Sequence, residues 1–229
     1  MPAATSNSMT TQPKVTEGQV MMYVPNLIGY ARFLFLLGST YFAFSENYWL
    51  LYPIFYGIAS LLDMADGMAA RALNQCSRYG AALDMICDRA QNGTMFLLLS
   101  VLYTNYDFFF YMCFILDFGS HWFQFQTTAL FKAESHKGKN KDENFIINLY
   151  YNNKIFFSVL VIGAETCIIV LYIVARVPFF QTWLPTQILA GVLTAIMSTK
   201  MLVNVFQWYG GFQRILKYDY ENKTNTFSY

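Results

Sequence analysis

Apolar residues fall into long blocks separated by short polar breaks, a pattern that predicts membrane-spanning helices of about 20 mostly apolar residues each. The first block covers 24–44 and stops at Ser45-Glu46-Asn47. The second starts near Tyr48 and runs to 62, then into a charged stretch at 63–71. The third begins near Gly80 and is most apolar over 94–103, although its first turns carry Asp84, Asp88 and Arg89. The fourth covers 108–130, and a polar segment rich in Lys, Asn and Asp follows at 132–153. The fifth spans 155–175 and the sixth 184–206. The expected fold is therefore an all-α polytopic membrane protein of six spans. A polar segment (1–23) precedes the helical domain (24–207), and a polar tail (208–229) follows it. No internal repeat or low-complexity tract interrupts this order.

Composition agrees with lipid burial. Hydrophobic residues make up 55% of the chain and charged residues 13%, about half the charged share usual in soluble domains. The 22 Phe and 17 Tyr suit rings packed in lipid and at its interfaces. A formal net charge of +1 gives no reason to expect a nucleic-acid partner. Cys76, Cys87, Cys113 and Cys167 lack paired spacing and read as free thiols. The first residues lack the apolar core of a cleavable signal peptide, so the first span is expected to drive insertion.

Lys and Arg placement sets the orientation. The turns near Glu46, Asn105 and Pro178 carry one basic residue between them, Arg176. The opposite side carries Lys14, Arg71, Arg78, the cluster Lys132, Lys137, Lys139, Lys141 and Lys154, and then Arg214, Lys217 and Lys223. Both termini and the connection between the second and third spans are expected in the cytosol. The lysine cluster reads as a solvated loop near anionic headgroups.

Residues 63–88, DMADGMAARALNQCSRYGAALDMICD, carry the candidate chemistry. Asp63 and Asp66 are three apart and Asp84 and Asp88 four apart, so each pair shares a helix face. If the two helices run antiparallel, four carboxylates converge at the cytosolic edge of the bilayer. Carboxylates in a membrane are costly unless neutralised, and hard divalent cations with all-oxygen ligands, Mg²⁺ or Mn²⁺, would neutralise them. Gly67 and Gly80 remove side chains where a ligand or a facing helix comes close, and Ala70 keeps that face open. Arg71 offers a planar fork to phosphate oxygens, and Ser77 a hydroxyl. Plain helix-to-helix ion pairing would explain one or two such residues, but not this set.

The spacing D-x2-D-G-x2-A-R-x8-G-x3-D-x3-D resembles the signature of the CDP-alcohol phosphatidyltransferases, without a departure. That resemblance implies six transmembrane helices, a homodimer and a divalent-metal site. It assigns metal to Asp63, Asp66 and Asp84, metal and proton acceptance to Asp88, and CDP-lipid contact to Gly67, Arg71 and Ser77. Further stretches, Val24-Pro25-Asn26-Leu27-Ile28-Gly29-Tyr30-Ala31-Arg32, Ala72-Leu73-Asn74-Gln75, Ser120-His121-Trp122 and Glu134-Ser135-His136-Lys137, resemble the eukaryotic phosphatidylinositol synthases within that family.

The implied reaction joins CDP-diacylglycerol and myo-inositol at a cytosol-facing site of an endoplasmic-reticulum membrane protein, among membrane lipids. Asp117 and His121, four apart, are candidates for inositol hydroxyls, with a structural hydrogen bond the other reading. Arg89 is the cation to watch if the acceptor carries a phosphate. Glu165 and Lys200 are expected to pair, Asn26 to cap its helix, and Arg32 to bond helix or headgroup groups. A sister enzyme using glycerol 3-phosphate, serine, or a CDP-aminoalcohol with diacylglycerol remains an alternative. A divalent-cation transporter is the other, although it leaves Gly67, Ala70 and Arg71 unexplained.

Overall fold

The computed structural model describes residues 15–132 and 153–221, which are helical throughout apart from short connections. A one-turn helix, α1 (Glu17–Met21), leads into α2 (Val24–Ala43). Next come α3 (Leu51–Ala72) and α4 (Arg78–Leu102), a 3₁₀ turn at Thr104–Tyr106, and α5 (Asp107–Lys132). After the undescribed segment come α6 (Lys154–Arg176), the short α7 (Pro178–Thr182) and α8 (Leu184–Glu221). His136 and most of the lysine cluster lie outside the described residues.

Among the described residues, six long helices occupy the six predicted blocks. By length and composition, two of them, α6 and α8, could each cross a membrane alone. The α4–α5 pair passes only when taken together, across a 117° bend at Tyr103–Tyr106. The shortfall has a chemical cause. Asp63, Asp66 and Arg71 in α3, Asp84, Asp88 and Arg89 in α4, and Asp117 and His121 in α5 lower the apolar content of those helices.

Apolar and polar packing separate along the bundle. The main core gathers Tyr52 and Tyr56 from the start of α3, Met95, Phe96, Leu98 and Leu99 from the end of α4, Phe110 and Cys113 from the start of α5, Cys167 and Tyr172 from the end of α6, and Met197 of α8. At that end the terminal carbonyl of α2, on Ala43, accepts from the Tyr172 hydroxyl at 3.2 Å and from Arg176 Nη2 at 2.8 Å. These α6 side chains satisfy a group that a helix terminus leaves open. The opposite end of the bundle is polar and holds the candidate site. α3 and α4 both pack on α2, which forms the floor between them; α5 packs on α4 and α8, and α6 on α8.

Two local features depart from expectation. α8 continues to Glu221, past the point where the sequence turns polar at about 208. Trp208 and Phe212 carry it along α5, with ring centroids 6.0 and 6.3 Å from that of Phe123. Asn26 does not cap α2: Tyr23 holds the cap position, and Asn26, buried one turn in, donates from Nδ2 to the Val20 carbonyl of α1 at 2.6 Å. α1 opens on a capping box, Thr16 with Gln19, whose side chains answer each other's backbone N–H groups.

Candidate active site

The turn joining α3 to α4 is held on both sides. Past the end of α3, Asn74 takes φ 53°, Gln75 N–H donates to the Ala70 carbonyl at 2.9 Å, and Asn74 N–H to Arg71 at 3.4 Å. This is a left-handed helix stop of the kind that Asn tolerates. Gln75 Oε1 then accepts from the Val24 N–H at the start of α2, 2.9 Å away, and Ser77 Oγ caps α4 by accepting from Gly80 N–H at 2.9 Å. A Cβ on Gly80 would lie 2.8 Å from Asn26 Oδ1, so glycine here lets α2 and α4 meet. A Cβ on Gly67 would meet only the Arg71 guanidinium, at 3.4 Å or more, so that face stays open. Arg71 is exposed and pairs with no described residue.

The two aspartate pairs do face each other, across the α2 floor. Oxygens of Asp63, Asp66 and Asp84 lie within 4.8 Å of one another, a donor set that suits a hard cation. Arg32 of α2 rises between them: Nη1 is 2.5 Å from Asp63 and 3.0 Å from Asp84, and Nη2 bonds Asp88. The arginine is 2% exposed, while the side chains of Asp63, Asp84 and Asp88 are 43, 48 and 36% exposed. A fixed buried cation therefore underlies an open acidic rim. Asp88 stands apart from the three-carboxylate group, with Arg89 Nη2 3.5 Å from its second oxygen.

Cavities open on both sides of this acidic wall. One, of about 170 Å³, is lined by Asp66 and Asp84 together with Gly67, Ala70, Ser77 and Gly80. The other, of about 260 Å³, is lined by Asp63 and Asp88 with Arg32, Arg89, Glu165 and Lys200, among other polar groups. The motif's small residues thus gather on one side, and all six long helices of the described residues contribute to the other.

Asp117 is 2% exposed and saturated by neighbours. Its Oδ2 accepts from Arg89 and, at 3.5 Å, from Asn92; its Oδ1 accepts from Lys200 Nζ at 2.7 Å and from Asn204 Nδ2 at 3.4 Å. These partners account for its carboxylate, so it anchors α4, α5 and α8 rather than pointing free lone pairs into the cavity. Lys200 pairs with Asp117, not with Glu165 as the sequence suggested, because the α5–α8 contact brings Asp117 to it. His121 lines the larger cavity, and its Nδ1 lies 2.8 Å from the Asp117 carbonyl. Since a carbonyl only accepts, Nδ1 carries the proton and Nε2 remains an acceptor.

Residues 22–196 match the model of the family described as CDP-alcohol phosphatidyltransferase. The chain belongs to this family. It is 34% identical over 206 residues to the Candida albicans CDP-diacylglycerol–inositol 3-phosphatidyltransferase, covering 90% of this chain and 87% of that one. The human protein of the same name is 38% identical over 154 residues, 67% of this chain and 71% of its own. An Arabidopsis thaliana relative, named as form 1 of that transferase, is 31% identical over 199 residues, 86% of this chain and 85% of its own. No solved structure matches the chain.

With its long apolar helices, this CDP-alcohol phosphatidyltransferase is an integral membrane protein. The family motif spans α3 and α4; beside it, Arg32 was expected to bond helix or headgroup groups but not to sit under the aspartates, and Gln91 was not singled out. Arg32 was legible only as a charge inside an apolar helix, a signal that it must find partners. Gln91 shares the α4 face of Asp84 and Asp88 at helical spacing, yet a lone glutamine carries no signal of its own.

Proposed function

We propose that this transferase moves the phosphatidyl group of CDP-diacylglycerol to myo-inositol, giving phosphatidylinositol and CMP. The observation that carries the choice of acceptor is the charge balance of the larger cavity. Its three cations, Arg32, Arg89 and Lys200, are all engaged by the chain's own carboxylates, Arg32 by Asp63, Asp84 and Asp88, and the others by Asp117. A phosphorylated acceptor needs an uncommitted cation, whereas a neutral polyol needs hydrogen-bond partners. The relatives' names point the same way.

In this reading the smaller cavity takes the CDP-lipid headgroup. Gly67 and Ala70 leave room, the Ser77 hydroxyl keeps its proton free to donate, and Arg71 meets phosphate oxygens from the rim. Asp63, Asp66 and Asp84, joined by Asp88, would hold Mg²⁺ or Mn²⁺, which when bound supplies Lewis-acid stabilisation of diphosphate charge. Asp88 lines the acceptor cavity and takes the hydroxyl proton. The inositol oxygen bonds to the β-phosphorus, the bond from that phosphorus to CMP breaks, and CMP leaves with the electron pair. Arg32 and Arg89 hold the Asp88 carboxylate in place for this step.

The larger assembly follows the same reading: a homodimer in the endoplasmic reticulum, with six spans and the site facing the cytosol. The test is an assay of the purified protein in detergent, offering CDP-diacylglycerol with myo-inositol, serine or glycerol 3-phosphate. Phosphatidylinositol formed with CMP release is the expected result. Preference for serine or glycerol 3-phosphate, or for inositol phosphate in a parallel assay, would overturn the choice of acceptor.

A further inference from the structure

One charged side chain in the larger cavity takes no part in the ion-pair network. Glu165 of α6 lines that cavity on the same helix face as Phe157 and Val161. Its carboxylate makes no hydrogen bond or ion pair with any described residue, because Lys200 turns to Asp117 instead. A carboxylate in the polar heart of a membrane bundle is expensive unless something uses it.

Two neighbours on the cavity wall are also acceptors in need of donors. Gln91 is 5% exposed; its Nε2 donates to Ser60 Oγ at 2.9 Å, while its Oε1, closed off from the cavity, has no partner among the described residues. The His121 ring, with Nδ1 turned to the Asp117 carbonyl, has only its Nε2 lone pair to offer. Glutamate and histidine thus give the cavity acceptors beside cations that are already engaged.

We propose that Glu165 is a specificity-determining residue that accepts hydrogen bonds from neighbouring hydroxyls of the polyol acceptor, with His121 Nε2 as a further acceptor in the same cavity. The inference rests on the larger cavity being the acceptor's. A carboxylate has two oxygens and can take two adjacent O–H donors at once, which suits a ring with a hydroxyl on every carbon. The same negative charge repels an acceptor that carries phosphate or carboxylate, so it selects by exclusion as well as by attraction. Glu165 therefore acts on acceptor binding, whereas Asp88 acts on proton transfer.

The test uses full-length protein in detergent, with myo-inositol titrated at saturating CDP-diacylglycerol. Glu165→Gln keeps the shape and removes the charge; it should raise the KM for myo-inositol about tenfold or more. It should leave kcat within a few-fold and the KM for CDP-diacylglycerol unchanged. As a second measurement, the mono-deoxy inositols are assayed with wild type and with Glu165→Ala. At least one analogue should be poorer than myo-inositol for the wild type and equal to it for the variant, because the missing hydroxyl and the missing carboxylate report one contact. An unchanged inositol KM, a parallel rise in the KM of both substrates, or deoxy penalties identical in both proteins would overturn the role of Glu165. Wild-type protein that ignores inositol but uses another alcohol would instead overturn the proposed function, so the two failures are told apart.

Discussion

Lys200 of α8 donates to Asp117 of α5 at 2.7 Å, joining residues 83 positions apart inside the bundle. Arg89 of α4 bonds the other oxygen of the same carboxylate, so one aspartate ties three helices together beside the larger cavity. The pairings leave that cavity with a neutral-acceptor character, since neither cation is available to a ligand phosphate.

Asp117→Asn should therefore act first on folding. Removing one partner of a buried ion pair leaves uncompensated charge and costs about 3–5 kcal/mol. Unfolding of the detergent-solubilised variant should show that loss. A variant of unchanged stability whose only defect is a higher inositol KM would put Asp117 on the ligand instead.

Two glycines of the motif should part company. Gly80→Ala drives a Cβ to 2.8 Å from Asn26 Oδ1 and 3.2 Å from Ser77 Oγ, both held by their own hydrogen bonds. It should cost about 1–3 kcal/mol of stability. Gly67→Ala meets nothing nearer than 3.4 Å and should gain up to about 1 kcal/mol as a better helix former, while weakening CDP-diacylglycerol binding. Melting curves and the lipid KM, measured on both variants, check the contrast.

Asp88→Asn should cut turnover at least ~100-fold, the scale of a lost general base, in protein that still folds. Single-turnover assays read this directly. Retention of more than about a tenth of the activity would remove Asp88 from that role.

Arg71→Lys keeps the charge but loses the planar two-point contact, and turnover should fall about tenfold or more. Because Arg71 is exposed and pairs with no described residue, the melting temperature should not move. Unchanged kinetics would make Arg71 structural.

Topology can be read with a native thiol. Cys76, in the turn after α3, is exposed, whereas Cys87, Cys113 and Cys167 are buried. An impermeant maleimide should label Cys76 in sealed microsomes from the cytosolic face alone. Because Cys76 lines the smaller cavity, CDP-diacylglycerol should slow the reaction. Labelling from the lumen would overturn the orientation.

Much of the molecule was legible along the chain. Helix positions followed from apolar blocks, because a lipid-facing helix must be apolar over its whole length. Most of the long-helix boundaries fell within a few residues of expectation; α8, which runs on well past 206, is the exception. The motif from Asp63 to Asp88 was legible for a related reason: its groups lie on two consecutive helices, where spacing fixes which residues share a face. Composition and spacing thus determined the helices, the aspartate pairs, and the open face at Gly67.

Pairings between distant helices were decided by the tertiary structure. Sequence pointed Lys200 to Glu165, and packing of α8 against α5 gave it Asp117 instead. Packing of α3 and α4 on α2 brought Arg32 under three aspartates more than 30 positions away, and Glu165 faces a cavity whose cations are engaged by other carboxylates. Local periodicity shows which way a side chain faces on its own helix. Which charge it meets depends on how the helices are set against one another, and in this protein that arrangement decides which charges are left over for substrate.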